Sequence, residues 1–170
     1  MAARKSEPYP VEPWNYARLP TLCYLCQPAV FWRREVMDRF GMFDATLHYA
    51  IDYEYWLRVG KQVPFQRLDG PPLAGSRLHA GTKTMSQRVP AHVESLQVVM
   101  RHGGDRAAVL KWLRAVAGFQ LAEATSPLRS RLGCAVLYVR NLFAVARKFS
   151  VPIRADLFSE ARRALLYRRK

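Results

Sequence analysis

Two acids, Asp52 and Glu54, stand among Tyr49, Tyr53, Tyr55 and Trp56 in the stretch LHYAIDYEYWLRVG, residues 47 to 60. A carboxylate at that position has two uses. It can take a proton from a hydroxyl as a general base, which requires only hydrogen-bond reach. It can equally cap a helix: Asp52 precedes a helical pattern, YEYWLRVG, that stops at Gly60, and its oxygen would accept a bond from a backbone N–H two or three positions on. Glu54 then favours the same positive helix end. Two further groups could bear chemistry. Cys23 and Cys26 form a C-x-x-C pair, but zinc wants four ligands and Cys134 is the sole remaining thiol, so the pair is not read as a metal site. His79, at the end of SRLH, reads by itself as a structural histidine after a strand.

The elements that must hold these residues divide near residue 85. Upstream, residues 1 to 20 carry four prolines and read as an extended lead-in. TLCYLCQPAVFW reads as a buried strand interrupted at Pro28, RREVMDRFG as a short helix closed by Gly41, and VPFQRLDG and PLAGSRLH as two strands about a Gly-Pro-Pro turn. Downstream, residues 91 to 102, 105 to 125, 128 to 149 and 155 to 168 show apolar residues at three- and four-residue steps, such as Leu110, Leu113, Ala117, Leu121 and Ala124, and read as helices. The charge divides at the same place. Residues 1 to 85 hold 11 Lys/Arg against 8 Asp/Glu, and residues 86 to 170 hold 16 against 5. With a net charge of +14, the chain predicts a polyanionic neighbour: nucleic acid, an anionic membrane face or phosphorylated substrates.

In order and spacing, QPAVFWRREVMDRFGMFDATLHYAIDYEYWLRVG followed by PLAGSRLHAGTKTMSQ resembles the C-terminal half of the catalytic domain of family 2 glycosyltransferases, the GT-A fold enzymes that use nucleotide-sugar donors. The match covers roughly residues 24 to 87. The resemblance implies an α/β fold: a partial GT-A, Rossmann-like sandwich lacking its N-terminal half over residues 1 to 85, followed by a basic α-helical extension over residues 86 to 170. It implies inverting sugar transfer, with Asp52 as the base that deprotonates the acceptor hydroxyl and the aromatic neighbours as walls for sugar and acceptor. His79 falls where relatives carry a metal-coordinating histidine, so Mn²⁺ or Mg²⁺ on the donor diphosphate is the implied cofactor. Arg77 is placed either at the diphosphate or beside a carboxylate. Gln27, Trp32 and Arg33 flank the acceptor side, Trp32 being open to a core role, and Glu54 is a helix-face or acceptor-contact residue. Arg58 reads as a structural ion-pair partner. Family members often carry Glu before this Asp; here the position is Ile51.

The family's donor-binding half, with its Asp-x-Asp motif, has no counterpart in the sequence, which contains no D-x-D. A truncated or split glycosyltransferase is expected, with a separate donor-binding chain as partner, a glycan or lipid-linked acceptor, and a place in cell-envelope polysaccharide assembly. A non-catalytic remnant or accessory module is the alternative. On a helix over residues 128 to 149, Leu128, Leu132, Ala135, Val139, Leu142, Phe143 and Ala146 make one apolar stripe bordered by Arg129, Arg140 and Arg147. That stripe fits either a bundle with a solvated basic face or docking on an anionic membrane surface. A basic nucleic-acid-binding protein is a further alternative, disfavoured because the aromatics cluster away from the charge. No apolar run approaches the length of a bilayer span and the N-terminus has no apolar signal core, so a cytoplasmic location is expected, peripheral at the inner face of the cell membrane.

Overall fold

A computed structural model of the chain describes residues 9, 11–76, 79, 81–123 and 131–166. Their regular structure is helical: α1 (Arg34–Phe40), α2 (Ile51–Gly60), α3 (Lys83–Ser86), α4 (Arg88–Arg101), α5 (Arg106–Glu123), α6 (Arg131–Lys148) and α7 (Ala155–Leu166), with 3₁₀ turns at Tyr16–Thr21 and Gln27–Ala29. No strand occurs among the described residues, so the α/β, Rossmann-like expectation is corrected to an all-helical architecture.

The three segments read as strands show why. The first is locally extended, at Leu22 (φ −158°, ψ 118°) and Val30 (φ −103°, ψ 124°), but among the described residues it has no neighbouring strand with which to form a ladder. A strand is defined by its pairing rather than by its own dihedrals. Proline further weakens the pattern: Pro28 opens the Gln27–Ala29 turn, and Pro64, Pro71 and Pro72 can donate no ladder bond.

The downstream helices form where the apolar periodicity places them, and their ends are set by local chemistry. After α4, Gly103 adopts φ +74° while its N–H donates to Met100 O (3.2 Å) and that of Gly104 to Val99 O (2.8 Å). This paired closure needs a left-handed residue, which glycine provides without strain. Asp105 then caps α5, its Oδ1 accepting from Ala108 N–H at 2.7 Å. The short connection folds α4 against α5 as a helical hairpin. α6 ends in the same way at Ser150, φ +52°, with Val151 N–H on Ala146 O at 2.8 Å.

One buried cluster joins residues on both sides of residue 85. It contains Tyr53, Trp56 and Leu57 of α2, Leu96 and Val99 of α4, Leu110, Leu113 and Val116 of α5, Leu142 and Ala146 of α6, and Leu157 of α7. Leu142 and Ala146 thus spend the apolar stripe of α6 inside the bundle. The lead-in is clamped onto the same core: Tyr53 Oη donates to Leu19 O (2.8 Å), and Trp112 Nε1 of α5 donates to Pro20 O (2.8 Å). α2 lies at the centre of these contacts and is buried nearly all round.

Candidate functional site around Asp52

Position 52 owes its geometry to a residue far along the chain. Helix α2 starts at Ile51, with Ala50 as its N-cap and no side chain of its own at the cap. The backbone donors entering the helix are instead collected by Glu94 of α4. Its carboxylate accepts from His48 N–H (2.9 Å), Tyr49 N–H and Ala50 N–H (2.6 Å). Burial alone would raise the Glu94 pKa, but the three donors outweigh it and hold the group below the usual glutamate range. The cap is therefore supplied in trans, and the expectation that Asp52 is the capping residue is corrected.

Asp52 sits one position inside the helix, half-buried. Its Oδ1 accepts the N–H of the next residue, Tyr53, at 2.8 Å, and no described residue bonds Oδ2. Burial pushes its pKa up, only partly offset by the backbone N–H groups of Tyr53 and of Asp52 itself. A carboxylate in this state is a stronger base than a solvated one, with one oxygen fixed and the other available.

The carboxyl lines an open cleft of about 320 Å³ with Gln27, Phe43, Tyr49 and Ile51. That volume lies at the lower end of the small-molecule range. The walls have separate supports. Phe43 packs against Tyr55 (ring centroids 4.7 Å apart) and edge-on to Trp32 (5.7 Å). Tyr49 donates its hydroxyl to Gln87 Oε1, and Lys83 Nζ donates to His48 O (3.3 Å) while lying 5.8 Å from the Tyr49 ring. The segment after residue 79 is thus drawn against one wall. Nothing matches the chain among protein-family models, curated proteins or solved structures.

The structure brings Asp52 and Gln27 together and places Trp32, Arg33, Glu54 and His79 away from the cleft lining. Trp32, half-buried, stands behind Phe43 in contact with Trp56 (5.7 Å) and supports the wall without lining it. Arg33 is exposed at the start of α1. Glu54, two residues after Asp52, points to the other side of the helix, as the ~100° step per residue requires. It is 4% exposed, holds Arg58 through two bonds of 2.9 Å and lies 3.0 Å from His102 Nε2. Burial would raise its pKa, but Arg58 and His102 keep it lowered. Arg58 also donates to the carbonyls of Phe40 and Met42, which ties α2 to the end of α1 and matches the structural role expected for it. Arg77 lies outside the described residues. His79 is exposed, its backbone N–H on Thr82 Oγ1 at 2.9 Å.

Among the described residues no three His, Cys, Asp or Glu side chains converge to hold a metal ion, at His79 or elsewhere. Burial, with the charge of Asp52 nearby, pushes the Cys23 thiol up to about 12 and raises that of Cys26. Both are protonated at neutral pH, a poor state for metal ligation or thiolate attack. Sequence reasoning missed Glu94 and Gln87, whose partners lie 38 to 46 residues away and leave no local signal. Of the aromatic neighbours expected as walls, Tyr49 lines the cleft while Tyr53, Tyr55 and Trp56 are buried in the core, and Phe43, within the motif, carried no mark that set it apart.

Proposed function

We propose that this chain supplies the acceptor side of an inverting glycosyl transfer, from a nucleotide-sugar donor to a glycan or lipid-linked acceptor, with Asp52 as general base. The observation that carries the reading is the state of Asp52: a half-buried carboxyl of raised pKa, without an ion-pair partner among the described residues, on a cleft walled by Tyr49 and Phe43. An acceptor hydroxyl placed at Oδ2 would lose its proton to the carboxylate as its oxygen attacks the anomeric carbon, while the anomeric C–O bond to the nucleoside diphosphate breaks on the opposite face and the diphosphate leaves with the electron pair. Gln27 offers a donor and an acceptor for neighbouring hydroxyls, and the aromatic walls present apolar faces to a sugar ring. The reading does not depend on a Rossmann-like sheet. It assigns the nucleotide sugar, and the Mn²⁺ or Mg²⁺ that the resemblance implies, to a separate donor-binding polypeptide, and no step on this chain is routed through the ion.

A glycan array probed with the full chain, followed by calorimetry on the best ligand, tests this division. Acceptor glycans should bind, Tyr49→Ala and Gln27→Ala should abolish that binding, and UDP-, GDP- and dTDP-sugars should bind poorly. Micromolar affinity of the chain alone for a nucleotide sugar, or glycan binding indifferent to both substitutions, would refute it. In an assembled enzyme, Asp52→Asn should lower turnover by roughly 10² or more while leaving glycan affinity intact, the scale of a general-base contribution.

A further inference from the structure

The acids of the C-terminal helices all face inward. Asp156 of α7 holds Arg106 of α5 through two bonds (2.7 and 2.8 Å), and Glu160 holds Arg114 of α5 (2.8 Å) and Arg163 (3.0 Å). α6 has no acid in its sequence, Arg131 to Lys148. The outer surface of the α6–α7 pair therefore carries, among the described residues, more cations than acids. At its centre the rings of Phe143 and Phe158 meet at 5.4 Å, and Phe158 is 58% exposed.

Helical spacing places four arginines around this ring pair. Arg140 and Arg147 lie three residues before and four after Phe143, and Arg154 and Arg162 lie four before and four after Phe158, each one turn away on the same face. All four are exposed, and among the described residues none makes a direct ion pair, although the charge of Arg154 reaches Asp156. Val136 (54% exposed) and Ile153 (51% exposed) extend the apolar part to either side. Leu142 and Ala146 of α6 face the bundle, Phe143 stands half-buried at the edge of that stripe, and Phe158 lies outside it.

We infer that the outer face of α6 and α7 docks on an anionic lipid bilayer, with Phe158 and its apolar neighbours entering the headgroup boundary and Arg140, Arg147, Arg154 and Arg162 pairing with lipid phosphates. Charge complementarity fixes the sign of the partner, and the apolar centre fixes its kind. Interfacial helices combine Lys/Arg with exposed Phe or Leu in this way. A nucleic-acid surface would use its aromatics as stacking platforms in a polar groove. Here the ring pair is flanked by aliphatic side chains on an exposed helical face. The inference is independent of the chemistry at Asp52.

Co-sedimentation of the full chain with vesicles of equal parts phosphatidylglycerol and phosphatidylcholine, against vesicles of phosphatidylcholine alone, tests it. Binding should be confined to the anionic vesicles and fall as added salt shortens the screening length. Each cation near such a surface contributes about fivefold in partitioning, so Arg140→Gln with Arg162→Gln should weaken binding about 25-fold, and all four Arg→Gln should abolish it. Gln has nearly the helix propensity of Arg, so circular dichroism should be unchanged. Phe158→Ala should weaken binding severalfold at constant charge. The inference is overturned if anionic vesicles are not bound at low salt, if wild type and the fourfold variant sediment alike, if Phe158→Ala has no effect, or if duplex or single-stranded DNA displaces the chain from vesicles through the same arginines.

Discussion

Replacing Glu94 by alanine separates the two roles that compete for Asp52. The carboxylate of Glu94 accepts three backbone N–H groups at the entrance to α2, and alanine leaves all three without it. Bonds to a charged group contribute about 1.5 kcal/mol each at the low end, giving about 4.5 kcal/mol, and water can take over the donor of exposed His48, which leaves about 3 kcal/mol. In urea, with a slope of about 2 kcal/mol/M, the midpoint should fall by about 1.5 M with the slope unchanged. Asp52→Asn should behave oppositely. Asparagine still accepts from Tyr53 N–H and removes a carboxylate whose ionisation burial disfavours, so stability should hold or rise. The pH dependences differ in sign. Glu94 has a lowered folded pKa, so its stabilisation is present above the unfolded value and lost as pH falls through the folded one; the gap between wild type and Glu94→Ala should close in acid. Asp52 has a raised folded pKa, so wild type is most favoured below the unfolded value and loses that advantage as pH rises; any gain from Asp52→Asn should appear near neutral pH and vanish in acid. A loss below about 1 kcal/mol for Glu94→Ala, or a larger loss for Asp52→Asn than for Glu94→Ala, would restore Asp52 as the cap.

Two further outcomes follow from packing around α2. At Gly60 a Cβ would lie 2.6 and 2.9 Å from ring carbons of Trp14, so Gly60→Ala should destabilise by about 1–3 kcal/mol, measured by urea denaturation, as overpacking does when a rigid ring must move. Glu54→Ala strands Arg58, 28% exposed, beside His102; losing one member of a buried pair costs about 3–5 kcal/mol, and the partial exposure of Arg58 brings this to about 2–3, read from the thermal midpoint.

Helices were legible in this sequence because their signals are local. The steps Leu110, Leu113 and Ala117 mark the buried face of α5, and Gly103 and Asp105 mark the turn before it, all within one or two helical turns of what they determine. The strands were misread for the opposite reason. Alternation in VPFQRLDG shows which side chains favour burial, but whether a neighbouring strand exists is a property of the whole chain. At the site, Asp52 was legible from its residue type at a helix start, whereas its cap depends on Glu94, 44 to 46 positions from the donors it binds. The aromatic cluster divided in a way that composition could not foresee: Tyr55 and Trp56 are core, 1% exposed each, and Tyr49 and Phe43 are the walls.

Where the acids go bears on the role proposed for Asp52. About half of the carboxylates among the described residues stand in an ion pair. Glu54 has Arg58, Asp44 has Arg101, Asp156 has Arg106 and Glu160 has Arg114 and Arg163. Glu94 satisfies three N–H donors, with the charge of His48 adding to them, which a neutral side chain could not do as well. Among the described residues Asp52 has no ion-pair partner. It accepts one N–H from Tyr53 and its own, lies half-buried, and its ionisation is disfavoured. Asparagine would serve every contact the structure gives it, at lower electrostatic cost. Under the proposed general-base role, Asp52→Asn should cost turnover and leave stability intact, and comparing the two isolates that role from any other.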